Sequence, residues 1–156
     1  MAIGIMEVLL VNAKGLKNNE IFGGGIDPYV VMKYKTQERN SSVARGSGSN
    51  PEWNEKFSFR VEYPGGDNNY KLILTVMDKD TFSADDALGQ ATVYLEDLLA
   101  MGVENNGVAE MHPRKYSVVS CDQSYCGEIQ VGIRFTPKIQ HQTDGEEYGG
   151  WKDSEN

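Results

Sequence analysis

Apolar residues recur at every second position in two parts of this chain: Leu72, Leu74 and Val76 alternate with Lys71, Ile73 and Thr75, and Ile129, Val131, Ile133 and Phe135 alternate with polar or small residues. A period of two puts successive side chains on opposite faces of an extended backbone, so both segments read as half-buried strands rather than helices. The same pattern is shorter elsewhere. Phe57, Phe59 and Val61 share one face, with Trp53 expected to plug the end of the fold beside them. Ile5 to Val11 is apolar at almost every position, as suits a strand covered on both faces or central in its sheet. Pro28–Tyr34, a weak edge strand at residues 39–44, residues 88–94 and residues 110–119 complete a set of eight, and Leu95, Leu98 and Leu99 pack a short helical turn at residues 95–101. Turn residues separate them, notably Gly46, Gly48, Pro51 and the run Pro64-Gly65-Gly66-Asp67. The expectation is an all-β, eight-stranded antiparallel β-sandwich with one short helix. With 156 residues, one domain at 1–137 is enough. Beyond it, 138–156 is polar, acidic and without apolar period, and reads as a flexible tail.

The alternating segment ending at Met77 runs directly into Asp78-Lys79-Asp80-Thr81-Phe82-Ser83-Ala84-Asp85-Asp86. Two carboxylates about 5 Å apart near a surface repel by roughly 3 kcal/mol at an effective dielectric of about 20, which favours a compensating cation. Asp78 and Asp80 are two apart and point the same way on extended backbone, and Asp86 can return toward them across the loop. A second acidic site is at Asp27, held at the mouth of a strand by Pro28, which restricts the residue before it to an extended conformation. An all-oxygen donor set with no His or Cys nearby suits calcium better than zinc or a tight magnesium octahedron. A solvated acidic turn is the plain alternative for a lone Asp-x-Asp, and Asp85 reads as a neighbouring charge rather than a ligand. An EF-hand is excluded, because counting from Asp78 the sixth position is Ser83 and the twelfth is Gly89.

The formal charge of −8 argues against an unaided grip on nucleic acid or an anionic membrane. No run approaches the roughly 18 apolar residues of a membrane span, and the start lacks a secretory signal, so the expected location is the cytoplasm. Cys121 and Cys126 flank a turn and are expected as free thiols there. His112 and His141 lie far from the acids in the sequence, no nucleophile has a base beside it, and Gly23-Gly24-Gly25 lacks the Lys-Ser/Thr ending of a phosphate loop; no enzyme is expected.

Four motifs in order, Ala13-Lys14-Gly15-Leu16, Asp27-Pro28-Tyr29-Val30, Asn50-Pro51-Glu52-Trp53-Asn54 followed by Phe57-Ser58-Phe59, and Asp78-Lys79-Asp80 with Asp86 and Gly89, resemble a C2 domain over residues 3–136. Because the chain opens on the strand before the first calcium loop, leaving the last strand to fill the vacated edge, the resemblance is to the type II permutation. Size and the tail sequence Glu146-Glu147-Tyr148-Gly149-Gly150-Trp151 are similar to the small plant single-C2 proteins of the elicitor-responsive and small phloem group.

That resemblance implies a calcium-dependent, phospholipid-binding signalling or defence-related protein, recruited to the plasma membrane when calcium rises. It implies Asp27, Asp78, Asp80 and Asp86 as metal ligands. A fifth family position falls on Ile21, with Glu20 one residue earlier as a substitute, which favours one calcium site over two at about 10⁻⁶ to 10⁻⁴ M. Ile21, Phe22 and Phe82 fall at the tips of the two acidic loops, where core packing is the plain reading; loops rich in Gly and Asp offer little core, which favours membrane insertion, each side chain contributing on the order of 1.5 to 3 kcal/mol when buried in acyl chains. Lys33, Lys35, Arg39 and Arg45 resemble a phosphoinositide-binding patch, for which a solvated sheet face is an equal explanation. The alternative function is a calcium-independent protein-binding or RNA-binding adaptor using the sandwich surface or the tail; the charge disfavours nucleic acid, and a monomer is expected.

Overall fold

The computed structural model describes residues 2–17, 25–79 and 84–139 and resolves the alternation into eight strands and a helix. In chain order these are β1 (Ala2–Lys14), β2 (Pro28–Tyr34), β3 (Gln37–Asn40), β4 (Glu52–Tyr63), β5 (Lys71–Asp78), β6 (Asp86–Tyr94), α1 (Glu96–Asn105), β7 (Ala109–Val119) and β8 (Tyr125–Ile139). β8 takes in Lys138 and Ile139, the first two residues of the expected tail, and the rest of that tail, 140–156, lies outside the described residues.

All pairings are antiparallel in the order β3-β2-β5-β6-β7-β8-β1-β4. β6 and β7 are joined by the single registered pair Gln90↔Val119, so the sheet folds there into two halves that face each other. Val30, Met32, Leu72, Leu74 and Val93 from one half meet Met6, Val61, Ile133 and Phe135 from the other in one core. Ile129, Val131, Ile133 and Phe135 are at most 2 % exposed, as their period predicts. Each such side chain contributes roughly 1.5–3 kcal/mol by burial.

The place of the last strand differs from the expectation of an edge. β8 lies inside the sheet, paired with β7 on one side and with β1 on the other from Ala2↔Ile139 to Lys14↔Glu128. β1 is long enough to give its second edge to β4, so β3 and β4 become the rims. The edge strand near residue 40 also starts and stops earlier than expected, at Gln37–Asn40. Ser41 and Ala44 still donate backbone N–H bonds to Val30 and Pro28 at 2.9 and 2.8 Å, but outside regular ladder geometry. The helix runs longer, to Asn105, and closes on Asn106 in the left-handed region at φ 50°, with Gly107 N–H donating to the Gly102 carbonyl.

Two of the sequence motifs hold each other. The Asn50 side-chain oxygen accepts the Gly15 N–H at 3.0 Å, and Ala13 N–H donates to the Pro51 carbonyl at 3.0 Å. Trp53 is 8 % exposed and its Nε1 donates to the Ser42 carbonyl at 3.0 Å, fixing the chain between β3 and β4. These contacts join the loops at the end of the sandwich where β1 and β5 finish and β2 and β6 begin.

Candidate functional site

Three neighbouring strands bring three carboxylates to that end. β5 finishes at Asp78, flanked by Pro28 of β2 on one side and Asp86 of β6 on the other. The pairing with Asp86 depends on an irregularity. Val76 pairs with Gly89 but Met77 pairs with Ala87, so Leu88 is an extra residue on β6. Without that bulge Ala87 would face Asp78; with it, Asp86 does. Directly opposed residues in an antiparallel pair share a face with Cβ atoms about 4.5–5.5 Å apart, so the bulge brings these two aspartates to one face of the β5–β6 pair.

Asp78 is one of the few buried polar side chains, at 8 % exposure. Its Oδ1 accepts the Asp27 N–H at 3.0 Å, and the Lys79 N–H donates to the Asp27 carbonyl at 3.0 Å, which extends the ladder past Pro28, a residue with no N–H to give. The Asp27 carboxylate accepts the Gly46 N–H at 3.2 Å, and an Arg45 guanidinium nitrogen stands 4.0 Å away. Asp86 is exposed. The backbone thus gathers Asp27, Asp78 and Asp86, although no three metal-ligating side chains close into one cluster among the described residues. Asp80 and Glu20 lie outside the described residues, as do the expected membrane tips Ile21, Phe22 and Phe82.

Asp85 is not simply a solvated charge. Its Oδ2 accepts a 2.6 Å bond from the Tyr29 hydroxyl, the Lys79 ammonium is 3.6 Å away, and its side chain is 18 % exposed. The hydrogen bond to Asp85, followed by burial and the same negative charge, pushes the Tyr29 phenol up to about 12. Sequence reasoning missed this contact because the partners are 56 residues apart; the only local signal was an aromatic following Asp27-Pro28.

The four basic residues do not form one free patch. Lys33 is 3.6 Å from Glu38, and the Lys35 ammonium pairs with Asp67 while lying 4.7 Å from the Tyr70 ring centroid. Arg39 lies over Phe59 and donates to the Ser58 and Glu38 carbonyls at 3.2 and 2.8 Å. Arg45 belongs instead to the acidic end, beside Asp27. Of the two cysteines, Cys121 is exposed and Cys126 buried, both as free thiols.

Comparison with known proteins adds to this geometry. The sequence profile of the C2 domain matches residues 4–111. The chain is 51 % identical over 156 residues to 16 kDa phloem protein 1 of Arabidopsis thaliana, covering 99 % of each. It is 48 % identical to elicitor-responsive protein 1 of Oryza sativa subsp. japonica, covering 97 % of this chain and 96 % of that one. Among solved structures, a C2 domain-containing protein from a putative elicitor-responsive gene superposes with a TM-score of 0.69 at 37 % identity, covering 92 % of this chain and 97 % of that one. The C2A domain of plant extended synaptotagmin 1 superposes at 0.71 with 24 % identity, covering 90 % and 99 %, a likeness of fold.

Proposed function

The chain belongs to the C2 domain family, and from that premise we propose that it is a calcium-dependent phospholipid-binding module whose ion is held at the end carrying Asp27, Asp78 and Asp86. The observation that carries the reading is the bulge at Leu88, which puts Asp86 opposite Asp78 although Ala87 would otherwise stand there. Two like charges set side by side by a register shift are costly unless a cation joins them. Carboxylate oxygens from several strands and one loop suit a hard, flexible ion of the calcium type, with Asp80 and Glu20 as further donors from the adjoining segments.

A bound calcium supplies positive charge and coordination positions open to a lipid phosphate. The protein's part is to hold the oxygens and to control the field. With a formal charge of −8, the chain repels anionic headgroups until the acids are neutralised. Ile21, Phe22 and Phe82 then enter the acyl region beside the ion. The names of the phloem and elicitor-responsive relatives support a setting in plant phloem or elicitor response; a move from the cytoplasm to the plasma membrane when calcium rises is part of the same proposal.

Sedimentation with phosphatidylserine vesicles in calcium or in chelator tests this. Pelleting in calcium alone is the expected result. Equal pelleting under both conditions, or none, would instead favour a calcium-independent adaptor acting through the sandwich surface.

A further inference from the structure

We propose that Tyr29 is a positioning residue for the bound ion, acting through Asp85 to fix the backbone on which Asp86 is presented. The proposal rests on the calcium reading above and names a residue that touches neither ion nor lipid.

The three participants are each chain neighbours of a candidate ligand. Tyr29 is two residues after Asp27, Lys79 directly follows Asp78, and Asp85 directly precedes Asp86. The Tyr29 hydroxyl and Lys79 ammonium approach the same Asp85 oxygen at 2.6 and 3.6 Å. Lys79 and Asp85 bracket the acidic segment between β5 and β6, so their contact draws its two ends together. Tyr29 adds a tie from β2, a strand that pairs with β5 but not with β6. Its register partner is Met77, whose own partner on the far side is Ala87, so the hydroxyl reaches across the tip of β5 to the segment entering β6.

A hydrogen bond to an ionised acceptor at this length is among the stronger and more directional of side-chain contacts. The alternative, a charge that only deepens the local field, would work as well in solvent; the 18 % exposure of the Asp85 side chain and its tyrosine partner fit a structural anchor instead. β6 needs one. The bulge at Leu88 interrupts the ladder two residues after Asp86, so regular pairing alone holds that aspartate less firmly than it holds Asp78. Partners that orient metal ligands typically change metal affinity by about 10- to 100-fold when removed.

Calcium titration calorimetry on the full chain, wild type against Tyr29→Phe, Asp85→Ala, Asp85→Asn and the Tyr29→Phe/Asp85→Ala double variant, tests the proposal. Tyr29→Phe removes one oxygen and keeps the ring. The expected result is calcium affinity about tenfold weaker at unchanged stoichiometry, no further loss in the double variant, and partial rescue by Asp85→Asn, which keeps an acceptor for the tyrosine. Melting in chelator is expected to change less for Tyr29→Phe than melting in calcium. Wild-type affinity in Tyr29→Phe overturns the proposal while leaving the calcium site standing. Equal losses in Asp85→Asn and Asp85→Ala with none in Tyr29→Phe make Asp85 a field effect and overturn it as well. If the wild type releases no heat with calcium, the underlying reading fails first.

Discussion

Replacing Asp78 by Asn separates the two jobs of one carboxylate. Its Oδ1 accepts the Asp27 N–H at 3.0 Å, and register sets it against Asp86. Asn keeps an acceptor oxygen and drops the charge. The bond weakens from about 1.5–3 kcal/mol for a charged acceptor to about 0.5–1.5 for a neutral one, a loss of about 1 kcal/mol. Against this, two carboxylates about 5 Å apart, the spacing of directly opposed Cβ atoms, repel by about 3 kcal/mol at an effective dielectric of about 20, and the substitution relieves that repulsion. Because Asp86 is exposed, solvent and salt screen roughly half of that relief. The metal-free variant should be about 0.5 kcal/mol more stable than wild type, a rise in Tm of about 1–2 °C. In calcium at about a hundred times Kd, a wild type that binds the ion as proposed should gain about 2.7 kcal/mol by mass action, or about 5–10 °C, and the variant should gain little. The order of melting therefore reverses between chelator and calcium, which differential scanning fluorimetry reads directly. A variant several degrees below wild type in chelator would show the charge to be structural, and equal gains in calcium would remove Asp78 from the ion site.

Gly127 sits at φ 119°, and a Cβ there would lie 2.8 Å from the Lys14 carbonyl oxygen, so Gly127→Ala should cost about 1–3 kcal/mol in urea unfolding; an unchanged midpoint would contradict the close approach of β8 to the end of β1. Tyr29 and Tyr34 are both raised to about 12, the first mainly by its bond to Asp85 and the second mainly by burial. Their protonated forms are favoured in the folded chain, so that contribution is complete below about pH 10 and is lost as pH climbs toward 12. Stability measured across that window should fall, with a shallower slope in Tyr29→Phe, and an identical slope would argue against the bond.

Much of the sandwich was readable because its strands each bury one face. Leu72, Leu74 and Val76 are all at 0 % exposure, and a period of two reports this from neighbouring residues alone. The same locality explains what was missed. Whether Ala87 or Asp86 faces Asp78 depends on Leu88 leaving the ladder, a property of the strand pair and not of either strand. Asp85 looked like a spare charge because its tyrosine comes from a different part of the chain. The interior position of β8 follows from β1 offering both edges, which hydrophobic alternation does not encode. Lys33 and Lys35 looked cationic in sequence and are each neutralised by an acid, Glu38 across the β2–β3 pair and Asp67 from the turn before β5.

Ala2 and Ile139 face one another as ladder partners, at the opposite end of β1 from Lys14 and the loops around the acids. Twelve steps along that strand, at about 3.3 Å each, put roughly 35–40 Å between this exit and the acidic rim. A reporter joined at Ala2 or directly after Ile139 would therefore sit at the end away from the acidic rim, clear of a bilayer docked there as proposed above.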